Sequence, residues 1–286
     1  MRKRLLLLLL ALAGPVQAAP VVDDRGVAVQ LPRPPQRIVT MLPSLAETVC
    51  ELGACERLVG VDRYANWPAA VRTLPRVGDV ADANVEAIVA LKPDLVLLAA
   101  SSRAIARLES LGIRVFGVEL KTLADVRRSL HQVAQVLEVP GAAGAWARIE
   151  AGIDEAARKL PPAVRGTTVY FEVGSGPYAA GATSHIGELL TRIGAANIVP
   201  AALGSVPQLN PEFVVRADPQ VILLSYPGAQ PVEQRPGWGR IRAVRDGRVC
   251  TLTPAQADVV VRPGPRLAEA AQVIVQCLQR SRGSGP

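Results

Sequence analysis

Histidine is nearly missing from this chain of 286 residues, which has only His131 and His185. A site built from several histidines around zinc or manganese is therefore excluded. Aromatic residues are also scarce, at 3%, and the basic residues are scattered rather than clustered, so the interleaved basic and aromatic surface of a nucleic-acid binder is absent. No Gly-Lys-Ser/Thr motif occurs, and Gly174, Gly176 and Gly181 do not have the spacing of a dinucleotide fingerprint, so neither phosphate-cradling loop is present. Ser44 and Ser175 have no histidine placed by sequence to activate them, which leaves no nucleophile and base pair. No apolar run reaches the roughly 20 residues that a membrane span needs.

The longest clear element is a helix over 140–160. Trp146, Ile149, Ile153, Ala157 and Leu160 form one apolar stripe, Pro140 opens the helix and Pro161 and Pro162 stop it. Similar segments lie on either side. Asn84-Val-Glu-Ala-Ile-Val-Ala-Leu-Lys-Pro-Asp-Leu-Val-Leu-Leu98 matches Asn210-Pro-Glu-Phe-Val-Val-Arg-Ala-Asp-Pro-Gln-Val-Ile-Leu-Leu224 without a gap. Each copy reads as an Asn-capped short helix, a Pro turn and a buried strand. Strands alternate with helices elsewhere too, so the expected fold class is α/β: two lobes with central, mostly parallel sheets flanked by helices, joined by a single long bridging helix. The divisions are a signal peptide at 1–18, an N-terminal lobe at 19–121, a linker with the bridging helix at 122–160 and a C-terminal lobe at 161–286.

Arg2, Lys3 and Arg4 precede an apolar stretch and small residues up to Ala18, the pattern of a cleavable secretory signal. Its removal takes three bases and no acid, lowering the formal charge from +7 to +4. Four cysteines in an exported chain favour disulfides over metal ligation. Three pairings are possible; the favoured one joins Cys50 to Cys55 at a helix end and Cys250 to Cys277 between a late strand and the last helix. Ser44 and Glu47 have the spacing of a capping box. A helix is expected over 102–111 and a loop over 258–265. Trp146 reads as core and Trp238 as a loop anchor.

The strand followed by Pro43-Ser-Leu-Ala-Glu47, the Leu58-Val-Gly-Val-Asp-Arg-Tyr64 run, the 84–96 block ending in Lys92-Pro-Asp-Leu-Val96 and the single bridging helix resemble the periplasmic binding proteins of cobalamin, haem and ferric-siderophore importers. The resemblance covers nearly the whole chain after the signal. It implies a non-enzymatic receptor in the periplasm that holds a small-molecule ligand between its lobes, with no cofactor of its own. It also implies delivery to an ABC permease in the inner membrane, with no nucleic-acid partner and a monomeric state. Glu86 and Glu212, the acid of each repeat, match the surface glutamates that dock on such a permease. Tyr64 matches a ligand-stacking tyrosine of the cobalamin-binding members; Trp67, Tyr178 and Tyr226 lie on other rim loops, where planar ligands meet aromatic walls. Two tryptophan walls of those members are replaced, by the 78–80 region and by Val206 or a close neighbour. Cys277 matches a cysteine of their last helix whose partner position is Ile193 here. The expected ligand is cobalamin. Arg262 in the 261–264 loop is a candidate cleft-facing contact that keeps a ferric siderophore or haem as the alternative, and a periplasmic adaptor or enzyme on the same scaffold is the alternative of another class.

Overall fold

The structure, a computed structural model, describes residues 19–174, 177–226 and 231–280; the signal-like segment 1–18 and parts of the loops at 174–181 and 226–228 lie outside them. Two sheets form the frame. In the first, strands Leu58–Val61, Ile38–Thr40, Leu95–Ala99 and Val115–Val118 lie side by side in that order, all parallel. In the second, Val221–Leu224 pairs in parallel with Val249–Thr251 on one side and Thr168–Gly174 on the other. The far edge of Thr168–Gly174 takes the short strands Ala196–Asn197, parallel, and Tyr178–Ala179, antiparallel. The central runs Leu95–Ala99 and Val221–Leu224 are apolar throughout because helices cover both faces of a parallel sheet.

Side-chain alternation along the strands divides the interior. Ile38, Leu95 and Leu97 of the first sheet, and Val169, Phe171, Val221 and Leu223 of the second, point into one continuous core that also takes in Trp146, Ile149 and Ile153. Their neighbours face outward into two smaller clusters, Val39, Val96 and Leu98 in one and Tyr170, Ile222 and Leu224 in the other. Trp238 closes the second cluster, edge-on to Tyr170 at 5.8 Å.

The bridging helix is Ala142–Lys159, about 27 Å long at 1.5 Å per residue. Ala156 rather than Ala157 continues its fully buried stripe. Arg148 reaches Glu51 of the N-terminal half at 2.7 Å, while Asp154 meets Arg192 of the C-terminal half at 2.9 Å. Gly152 lets the final helix, Leu267–Arg280, lie close, since a Cβ there would come 2.6 Å from that of Ala268.

The repeat extends to atomic detail. Asn84 accepts the Ala87 N–H and Asn210 the Glu212 N–H, each at 2.9 Å. Lys92 and Asp218, equivalent positions after each helix, are both left-handed, with φ of 46° and 43°. Asp94 accepts the N–H groups of Gln36 and Arg37, and its counterpart Gln220 accepts that of Thr168. Each residue thereby ties the turn to the start of the adjacent strand.

Both disulfides form as favoured, Cys50–Cys55 and Cys250–Cys277. Three expectations are corrected. Ser44 is not a cap: the helix Pro43–Glu51 starts two residues earlier than a Ser44 cap would allow, with Leu42 at the cap position and Pro43 in its first turn, and Glu47 turns to an arginine instead of closing a box. The helix expected over 102–111 is shorter, Ile105–Ser110, because a turn at Ser102 takes up its start. The stretch read as a loop over 258–265 begins inside a helix, Pro254–Val261, set up by Thr253 and Gln256 in a true capping box.

Candidate functional site

In open α/β sheets ligands collect beyond the carboxyl ends of the strands. Here those ends carry the 62–68 loop and Leu120-Lys121 in the N-terminal half, and Val173 and Tyr226 in the C-terminal half. Between Leu120 and Lys121 on one side and Val173, Ala180, His185, Ile186 and Val206 on the other lies a mainly apolar cavity of about 270 Å³. Tyr64, Trp67, Tyr178 and Tyr226 are not among the described residues that line it.

The 62–68 loop is held rigidly. Buried Asp62 accepts the Tyr64 N–H at 2.7 Å, and Arg76 donates to the carbonyls of Asp62 and Ala65. Burial pushes the Asp62 carboxyl up to about 6, against the help of that hydrogen bond, and Asp79 adds to the rise. Tyr64 and Trp67 remain 60% and 44% exposed. One face of the Trp67 ring is covered by the Arg266 guanidinium, 4.5 Å from its centroid. Tyr178 stands exposed on its edge strand.

Arg262 is not a cleft-facing contact. It is buried, and its guanidinium bonds Glu47 at 3.0 Å, the Asn66 side-chain oxygen at 2.8 Å, the Tyr64 carbonyl at 3.0 Å and Asp258 at 2.9 Å. Asn66 completes the group by donating to Asp258. Burial raises the Glu47 pKa while Arg262 pulls it back. The arginine clasps the aromatic loop of one half to the other half.

Sequence reasoning missed the setting of Tyr226. Its hydroxyl donates to Glu172 at 2.6 Å, and the same fully buried carboxylate accepts from Tyr170 and, bidentately, from Arg235 at 2.7 and 2.9 Å. Arg235 in turn lies over Trp238. Burial, with Glu172 beside it, pushes the Tyr226 phenol up to about 12. A Glu within a buried strand was the available signal, though nothing in the pattern tied it to Arg235.

Glu86 and Glu212 are exposed in the first turns of their short helices. Glu212 makes one loose pair with Arg216 at 3.9 Å. No group of three or more His, Cys, Asp or Glu able to hold a metal ion occurs among the described residues.

A family model described as periplasmic binding protein matches residues 38–256. The chain belongs to that family. This periplasmic binding protein is 30% identical over 275 residues, 90% of its length and 84% of the relative's, to an uncharacterized ABC transporter substrate-binding lipoprotein of Bacillus subtilis. It is 32% identical over 212 residues to a cobalamin-binding protein of Halobacterium salinarum, covering 70% of this chain but 57% of that one. Among solved structures, a periplasmic haem-binding protein in complex with two haems superposes with a TM-score of 0.72 at 29% identity, over 86% of this chain and 98% of the other. The family consists of binding proteins, not enzymes, and serves ABC transporters.

Proposed function

We propose that this periplasmic binding protein captures a corrinoid, cobalamin, between its two lobes in the periplasm and delivers it as a monomer to an ABC permease in the inner membrane. The similarity to the cobalamin-binding protein of Halobacterium salinarum, at 32% identity, carries the choice of ligand. The exposed Tyr64 on a pinned loop supports it, since a stacking wall must be both accessible and preordered. In this reading Tyr64, Trp67, Tyr178 and Tyr226 surround the ligand, Arg262 serves by fixing the Tyr64 loop, and Glu86 and Glu212 dock the permease. The lobes are taken as 19–121 and 161–286, with 122–160 between them. A continuous core through the bridging helix favours small closure over a wide hinge motion.

Calorimetric titration of residues 19–286 with cyanocobalamin, and separately with haemin and a ferric hydroxamate, tests the proposal. Saturable one-to-one binding of cyanocobalamin alone is the expected result. Binding of haemin instead would replace the ligand and keep the receptor, the reading favoured by the likeness to the haem-binding structure. Silence with all three would favour an adaptor that does not carry cargo.

A further inference from the structure

The cavity between the halves contains one buried side chain that its surroundings leave half satisfied. His185 is 7% exposed, at the start of the helix His185–Ile193, and lines the cavity beside Leu120, Ile186 and Val206. Its Nε2 lies 3.1 Å from the Val260 carbonyl. A carbonyl can only accept, so Nε2 carries the proton, and in a neutral ring Nδ1 is left with a bare lone pair. No partner for Nδ1 exists among the described residues, and it is not one of their fully enclosed unsatisfied atoms, so it keeps some accessible surface on a residue that lines the cavity. Burial lowers the imidazole pKa to about 4, which keeps the ring neutral at physiological pH.

The other polar side chains of the wall are engaged. Ser184 donates to the Gly181 carbonyl and accepts from the Gly187 N–H, Ser205 meets Thr183, and the Lys121 ammonium pairs with Glu119 at the rim. Among the described side chains the cavity thus offers apolar walls, one acceptor without a partner, and the Lys121 ammonium at its edge. Its volume of about 270 Å³ lies just below the range of a complete ligand pocket. It suits one arm of a larger ligand.

We infer that the cavity around His185 reads an uncharged N–H donor on a short apolar arm, such as the amide arms that fringe a corrinoid, and disfavours a carboxylate in the same place. This rests on the proposed corrinoid reading. An amide N–H satisfies Nδ1 and leaves its methylenes against Leu120, Ile186 and Val206. A carboxylate, as on the edge of a haem, would set acceptor against acceptor at Nδ1 and leave the imidazole lone pair unmatched among apolar walls.

The test is calorimetry with cyanocobalamin and with the monocarboxylic acids obtained by hydrolysing single propionamide arms. At least one monocarboxylate is expected to bind about tenfold more weakly than cyanocobalamin, the size of one lost hydrogen bond at a buried acceptor. His185→Leu should weaken cyanocobalamin by a similar factor and close the gap between amide and acid, whereas His185→Gln, which keeps an acceptor, should retain most of the affinity. Wild-type discrimination that is absent, or unchanged in His185→Leu, overturns the inference. Should the leucine variant not fold, the imidazole ¹⁵N signals of the wild type decide: the unprotonated Nδ1 resonance shifts on adding cyanocobalamin, and a stationary one overturns the inference. Failure of cyanocobalamin to bind the wild type at all would instead remove the corrinoid reading itself.

Discussion

At the scale of single residues the decisive group is Arg262. It sits where Glu47, Asp258, Asn66 and the Tyr64 carbonyl converge, so the two halves share one buried charge network. Removing one partner of such a network leaves the other charged and dry. Arg262→Ala is expected to cost about 3 to 5 kcal/mol in a denaturant unfolding curve, whereas Arg262→Met combined with Glu47→Gln should recover much of the loss. Equal losses in both variants would count against the clasp. These partners were hidden in the sequence: Glu47 and Arg262 stand 215 positions apart and Asn66 and Asp258 192 apart. No periodicity records pairs at such separations. Glu47 even gave a misleading sign, because an acid three residues after a serine has capping-box spacing whatever its side chain touches.

At the scale of elements, local chemistry was legible. Asn84 and Asn210 cap the helices as expected, and the buried strands after each Pro turn are where apolar runs placed them. The bridging helix was legible from its stripe, but its docking surface was not. Gly152 is inconspicuous among the small residues of that helix until the final helix is seen against it. Gly152→Ala should destabilise the protein by about 1 to 3 kcal/mol, against the small gain that alanine normally brings inside a helix, and Ala268→Gly should rescue part of it. Thermal melts of the single and double variants check this. A stabilised single variant would show that the two helices are free to separate.

For the whole molecule, the duplication sets two exposed glutamates on equivalent helices, one in each half. If they dock the permease, Glu86→Ala and Glu212→Ala should each lower transport in a reconstituted importer, and the double variant more so. Ligand affinity by calorimetry should stay within about twofold, since surface acids away from the cleft contribute little to binding. A fall in affinity with transport unchanged per bound ligand would transfer them to the binding site. The two-sheet architecture was readable because repeat, alternation and bridge all pointed to it. The cavity between the halves was not, for its wall draws single residues from distant loops and its one histidine had no companion to form a motif.

The bridge from Cys250 to Cys277 fastens the last helix to the edge of the second sheet, and that helix lies along the bridging helix. With its ends 27 positions apart, the cross-link is worth about 3 to 4 kcal/mol through the disorder it denies the open chain. Where thiols keep the pair reduced that restraint is missing, so the reduced chain would occupy opened forms a few hundredfold more often. The same sulfur pair that makes the oxidised protein durable would thus leave its reduced form easy to open.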